Sequence, residues 1–191
     1  MCIRDRAYAY YKYNEPESAI AAVERFIHNY PTHPNLDYAY YLKGLADFKD
    51  SNSLIDRITG GYDFSDRDPK AALQAYKDFS ELIEKFPESK YSDDARQRIR
   101  FILEALALHE IKVARHYLKI EAYVAALNRT KYVIENYQRT PSVEDALGLQ
   151  ATIYATIGMP GLANDSLRVL KINFPESRYI KRVEKALAGE S

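Results

Sequence analysis

Histidines, a cluster of aspartates and one cysteine are the groups in this 191-residue chain that could carry chemistry. His109 and His116 are seven residues apart and share a helix face. Two helical turns hold them about 10 Å apart, too far for two imidazoles to share one ion without a bend. His28 and His33 flank a turn, and His33 with Asn35 reads as turn and capping chemistry, in which polar side chains satisfy exposed backbone N–H groups. Asp63, Asp66 and Asp68 lack the odd-position ligand spacing and closing glutamate of a calcium loop, so they read as a solvated loop. Gly60-Gly61 is followed by neither Lys-Ser nor Lys-Thr and is a flexible turn, not a phosphate cradle. Gly-x-Ser-x-Gly, His-Glu-x-x-His and a cysteine nucleophile with a partner are all missing from the sequence. The residues therefore point to no catalytic centre, no metal and no cofactor, and the expected activity is binding.

Composition narrows the partners. Lys+Arg and Asp+Glu are balanced at 27 each with no long block of one sign, so nothing suggests an electrostatic footprint for nucleic acid or anionic lipid. Cys2 is the single cysteine, which rules out an intrachain disulfide and leaves packing to hold the fold. The sequence has no run of 18 apolar residues, the length a spanning helix needs, and no charged-then-apolar signal segment at its amino end. Tyrosine is over-represented, with 17 residues against no tryptophan. Its ring fills gaps between helices while the hydroxyl reaches water, which suits thin layers of paired helices.

The elements that position these residues follow from an internal repeat. Ala19/Tyr30, Ala75/Phe86, Ala126/Tyr137 and Ala163/Phe174 each pair an alanine with an aromatic eleven residues later. That interval is about three helical turns, so both lie on one face. The positions seven and four before each aromatic complete an apolar stripe, Val23/Phe26, Phe79/Leu82, Thr130/Val133 and Leu167/Leu170. The small alanine allows a partner helix to cross closely. Proline follows three of the aromatics, as Pro31, Pro87 and Pro175, and Pro87-Glu88-Ser89-Lys90-Tyr91 is echoed by Pro175-Glu176-Ser177-Arg178-Tyr179.

The expected fold is all-α, a tetratricopeptide-repeat right-handed solenoid of helical hairpins with no strand. First helices are expected near 35–48, 92–118 and 143–158, second helices near 16–30, 69–86, 120–138 and 160–174, and a last helix near 177–188. Residues 7–191 form one array: a partial first repeat at 7–30, then 35–86 with a polar insert at 49–67, then 92–138, then 143–174 and the terminal helix. Residues 1–6 match neither a start signal nor the repeat pattern and are expected to be a non-native or unstructured leader on a truncated chain. Closing aromatics are spaced by 56, 51 and 37 residues, where a tetratricopeptide unit is about 34. The insert and an unbroken helix from Ser92 to Leu118 account for the excess.

The wording of the repeats carries a resemblance. Tyr30-Pro31-Thr32-His33-Pro34-Asn35-Leu36-Asp37-Tyr38, then Tyr41-Leu42-Lys43-Gly44-Leu45, Ser65-Asp66-Arg67-Asp68-Pro69 and Val124-Ala125-Ala126-Leu127-Asn128-Arg129 occur in this order. They closely resemble the BamD family, the tetratricopeptide lipoproteins of the bacterial outer-membrane β-barrel assembly machinery, over about Ala7 to Leu187. The resemblance implies a non-catalytic scaffold and substrate receptor at the periplasmic face of the outer membrane. It also implies a lipid anchor on an amino-terminal cysteine; Cys2, without small and apolar residues before it, is not expected to be that cysteine. Implied partners are a BamA-like insertase through its soluble periplasmic domain, other lipoproteins of the machinery, and unfolded outer-membrane β-barrel substrates.

By position, the resemblance assigns Arg129 to insertase docking, where a planar guanidinium fork can grip a carboxylate through two parallel hydrogen bonds. A solvated helix charge is the competing reading. It also implies a substrate groove lined by Tyr8, Tyr11, Tyr38, Tyr41 and Phe48, packing rings against the aromatic end of a barrel signal. Their i, i+3 spacing fits hairpin core equally. A different periplasmic tetratricopeptide adaptor, serving envelope or peptidoglycan coordination, is the alternative function; it would not need the Thr32-His33-Pro34-Asn35 turn. A cytosolic co-chaperone would need a lysine and arginine clamp where these first helices carry tyrosines.

Overall fold

A computed structural model of the chain describes the backbone of residues 3–60 and 69–188 and the side chains of 5–49 and 69–188. Cys2 and the aspartates Asp63, Asp66 and Asp68 lie outside these residues. The fold is all-α and tetratricopeptide-like. In chain order the helices are α1 (Ile3–Lys12), α2 (Pro16–Asn29), α3 (Leu36–Gly60), α4 (Lys70–Lys85), α5 (Ser92–Lys119), α6 (Tyr123–Asn136), α7 (Ser142–Thr156), α8 (Pro160–Asn173) and α9 (Tyr179–Ala188). No helix among the described residues is long and apolar enough to cross a membrane.

The four repeat aromatics do one structural job. Tyr30, Phe86, Tyr137 and Phe174 are the C-caps of α2, α4, α6 and α8, with φ of −134°, −134°, −125° and −138°. Each still donates its backbone N–H four residues back, to the carbonyls of Phe26, Leu82, Val133 and Leu170 at 2.7–2.9 Å. Extended φ then turns the chain out of the helix. Proline at the next position favours that geometry in three cases by crowding the α region of the residue before it. Tyr137 adopts it with Gln138 following, so the capping contacts alone suffice there.

The turn closes in the same way each time. The third residue after the aromatic donates its N–H to the aromatic's carbonyl, from His33, Ser89, Thr140 and Ser177 at 3.0–3.1 Å. Three of these residues also offer a side-chain acceptor two residues on: His33 Nδ1 accepts from Asn35 N–H at 3.1 Å, Ser89 Oγ from Tyr91 at 3.2 Å and Ser177 Oγ from Tyr179 at 3.3 Å. His33 thus has the turn role expected of it. The paired alanines Ala19, Ala75, Ala126 and Ala163 are each 0% exposed. Thr130, the polar exception in the stripe, is equally buried and donates its hydroxyl to the Leu127 carbonyl at 2.9 Å.

The chain divides into two compact units, Met1–Ala105 and Leu106–Ser191. In the first, α2 packs on α1 and α3, and α3 packs on α4. Ala7, Ala22, Val23, Phe26, Ala39 and Leu42 form a core there. The Lys43 ammonium ties three helices together, 3.3 Å from Asp78 on α4 and 3.1 Å from Glu24 on α2. In the second unit, α7 packs on α6, α8 and α9, over buried Val133, Ile153, Leu170 and Val183.

Two boundaries differ from the sequence reading. Helix α1 begins at Ile3, inside the expected leader, and α3 runs to Gly60, so the first part of the 49–67 insert is helical. Lys49 to Thr59 is polar but contains neither proline nor glycine, and polarity alone does not end a helix.

Two glycines are fixed by close approach. A Cβ at Gly44 would lie 2.7 Å from the Phe79 ring, and one at Gly148 would lie 2.1 Å from the Tyr179 ring. Gly148→Ala is therefore expected to cost about 1–3 kcal/mol through overpacking. Gly161→Ala, which meets nothing within 4 Å, should be neutral or stabilising by up to about 1 kcal/mol. Urea unfolding midpoints of the two variants check this, and equal midpoints would contradict it.

Candidate functional site

The aromatic residues of the first unit separate into a packed row and a more open set. Tyr38, Tyr41 and Phe48 lie along α3 and are half-buried. The Tyr41 ring stacks on Tyr91 with centroids 4.7 Å apart, and Tyr38 lies 5.4 Å from the same ring. Phe48 meets Phe79 at 6.2 Å and Phe101 at 6.1 Å, both edge-on, and the Arg98 guanidinium sits 5.0 Å over its face. The structure thus brings these three predicted groove residues together, with their faces occupied by α4, the start of α5 and the turn before it.

Tyr8 and Tyr11 stand apart on α1. Tyr8 is 43% exposed, with Lys12 Nζ 5.4 Å from its ring centroid. Tyr11 is joined to α3 by Lys49, whose ammonium lies 5.2 Å over the ring and donates to the Tyr11 carbonyl at 3.4 Å. Phe101, at the end of the packed row, is 48% exposed.

A carboxylate fixes the row to α5. The Tyr41 hydroxyl donates to Asp94 Oδ2 at 2.6 Å, and Arg98 Nε donates to the same oxygen at 2.6 Å. Burial and the Asp94 hydrogen bond push the Tyr41 hydroxyl up to about 12. Burial also opposes the charge on Asp94, but hydrogen bonds from Tyr41 and Arg98 outweigh it and hold the carboxyl below its ordinary value.

In the second unit, Arg129 projects from α6 and its Nη1 donates to Glu110 Oε2 on α5 at 3.0 Å. The arginine side chain is 44% exposed and the glutamate 12%. Arg129 is therefore neither buried nor freely solvated. Glu110, with Tyr117 also meeting the guanidinium, orients the fork and leaves part of the side chain accessible. His109, next to Glu110, is held below its ordinary value, chiefly by burial. His116 is exposed, its ring 6.0 Å from Tyr117. Among the described residues no three His, Cys, Asp or Glu side chains come close enough to hold a metal ion.

A cluster around Asp145 on α7 escaped the sequence reading. Asp145 Oδ1 accepts from the Tyr179 hydroxyl at 2.6 Å and from Arg178 at 2.9 Å, while Oδ2 lies 3.0 Å from Arg115 Nη2. The Tyr179 ring reaches this place by lying on Gly148. The signal available in the sequence was the echo of Ser89-Lys90-Tyr91 in Ser177-Arg178-Tyr179. It marks two tyrosines at the same point of the repeat, but not the carboxylate that Tyr179 meets.

Paired helices, buried small residues at the crossings and partly accessible aromatic and guanidinium groups define a tetratricopeptide-like helical-repeat protein. The chain belongs to the YfiO outer membrane lipoprotein family, whose model matches residues 4–169. It is 47% identical over 176 residues to the outer membrane protein assembly factor BamD of Neisseria meningitidis serogroup A, covering 92% of this chain and 66% of that protein. It is 34% identical to the BamD of Xylella fastidiosa strain Temecula1, over 93% of this chain and 60% of the relative. With the Vibrio cholerae BamD it shares 32% identity, over 88% of this chain and 70% of the relative. The chain spans about two thirds of the length of these curated relatives.

Asp145 gives the site a pH signature. Burial works against its charge, but hydrogen bonds from Tyr179 and Arg178 and the positive charges of Arg115 and Arg178 prevail and hold the carboxyl below its ordinary value. A carboxylate with a depressed folded pKa contributes its stability in full above the unfolded value of about 3.9 and loses it as pH falls through the folded value. Asp145→Asn should accordingly be less stable than the parent at neutral pH, with the gap closing as pH drops below about 4. Urea midpoints across a pH series read the gap, and a gap independent of pH would count against this assignment.

Proposed function

We propose that this chain is the helical-repeat part of an outer-membrane protein assembly factor, acting without catalysis as a scaffold and substrate receptor. The observation that carries the reading is the 47% identity to an assembly factor BamD over 92% of the chain. In this reading the whole protein works at the periplasmic face of the outer membrane, held there by a lipid anchor. It promotes insertion of β-barrel proteins together with a BamA-like insertase and other lipoproteins of the machinery.

Arg129 is the docking residue for the periplasmic domain of the insertase. The accessible part of its side chain supports this, since a second carboxylate can be gripped there while Glu110 keeps the fork oriented. The substrate segment is received by the aromatic residues of the first unit, the packed row of Tyr38, Tyr41 and Phe48 together with Tyr8 and Tyr11, which stand apart from it on α1. Tyr38, Tyr41 and Phe48 supply a stiff, packed backing, and exposed Tyr8 supplies open ring surface. Packed tyrosines lose little side-chain freedom on contact, which favours binding of an extended apolar peptide.

The test is direct binding of a purified BamA-like periplasmic domain to this chain. Arg129→Glu should weaken binding by at least about tenfold, the loss expected when a charge-assisted contact becomes a repulsion. Arg129→Gln should weaken it less. Because Arg129→Glu also places a carboxylate beside Glu110, the circular dichroism spectrum of each variant is recorded to verify unchanged helix content. Undiminished binding by both variants would sink the assignment of Arg129.

A further inference from the structure

A cavity of about 500 Å³ opens in the second unit between the end of α5, the middle of α7 and the first turn of α9. Its cationic lining is Arg115 and Lys119 from α5, with Arg178 from the turn just before α9 and Arg182 from the first turn of that helix. The apolar lining is Leu118, Leu149 and the ring of Tyr179, of which Leu149 and Tyr179 are each 5% exposed. The family match ends at residue 169, so the contribution of α9 to this cavity lies beyond it.

The charge is out of balance. Four cations and no carboxylate are among the residues that line the cavity, and Asp145, which meets two of them, has both oxygens already used by Tyr179, Arg178 and Arg115. Lys119 and Arg182 are exposed and have no ion-pair partner among the described residues. In a chain whose 27 basic and 27 acidic residues cancel, such an excess at one concave place favours an anion there. Arg115 and Arg178, oriented by Asp145, keep further N–H donors in a planar fork suited to a carboxylate.

We propose that this cavity docks an acidic segment of a partner protein. A carboxylate side chain sits between Lys119, Arg178 and Arg182, and a neighbouring apolar side chain fills the space over Leu118, Leu149 and Tyr179. The combination decides the class of ligand. A membrane surface would engage a broad, flat basic face on a cationic protein, whereas this is a small concavity with an apolar floor on a neutral chain, sized for one or two side chains. The site uses neither Arg129 nor the aromatic residues of the first unit, and it does not depend on the assembly-factor reading.

The experiment is fluorescence anisotropy of the full chain with a short labelled peptide alternating leucine and aspartate. Its controls are the same peptide with asparagine for aspartate, and vesicles of phosphatidylglycerol in phosphatidylcholine. The expected results are saturable binding of the aspartate peptide that weakens with salt, and at least about tenfold weaker binding of the asparagine peptide. A similar loss is expected in the double variant Lys119→Glu, Arg182→Glu. Both positions are exposed, so the fold should tolerate the change, and Arg168→Glu, an exposed change on α8 outside the cavity lining, should leave the peptide affinity unaltered. Equal affinity for the two peptides, binding undiminished in the double variant, or binding to the vesicles with none to the peptide would each overturn the proposal. Should the double variant fail to fold, the two peptides compared on the parent chain still decide between binding and its absence.

Discussion

Everything in this structure hangs on how the second helix of each hairpin ends. An aromatic residue keeps its N–H in the last helical hydrogen bond while its own φ leaves the helix, and its carbonyl then receives the N–H three residues on. One residue thereby finishes a helix and sets up the next turn. The same geometry at Tyr30, Phe86, Tyr137 and Phe174 means each following helix starts from an equivalent platform. Buried alanines let the helices cross at short range, and the apolar stripe between alanine and aromatic fills the space behind. Stability in such an array is largely a sum of neighbour contacts, so a reproducible turn matters more than any one core residue.

The polar interactions follow the same logic at a different level. In the first unit Tyr41 and Arg98 share Asp94; in the second, Tyr179 and two arginines share Asp145. Each time a tyrosine ring lies in the apolar layer while its hydroxyl is anchored to a carboxylate at the edge. This explains the abundance of tyrosine better than bulk alone would. Phenylalanine would fill the same space without specifying which face of the neighbouring helix it meets. Burial would ordinarily raise both aspartates, and the donors around them reverse that tendency.

What could be read from the sequence was what depends on local spacing. The alanine-to-aromatic interval located α2, α4, α6 and α8 to within a few residues, and His33 with Asn35 announced the turn after α2. The extent of α3 was hidden because Lys49–Thr59 is polar enough to resemble a loop yet contains no breaker. Groove residues Tyr38, Tyr41 and Phe48 could be placed on one face of a helix, but not what that face meets. Their engagement with Tyr91, Phe79 and Phe101 is tertiary, between positions 31 to 53 residues apart. The Glu110 partner of Arg129 and the Asp145 cluster were invisible for the same reason: single charges on separate helices leave no periodic trace.

The two close-packed glycines impose a condition on how such a chain can diverge. Gly44 lies under Phe79 and Gly148 under Tyr179, so each ring has to shift once its glycine acquires a side chain, and a smaller residue at either ring position leaves a hole above the glycine. Positions 44 and 79 therefore have to drift as one pair, and 148 and 179 as another. In the second pair this ties the middle of α7 to the residue that anchors Asp145. A lineage that exchanged Gly148 for a larger residue would have to rebuild that polar cluster in the same step, which makes the glycine a historical lock on chemistry one turn away along its own helix.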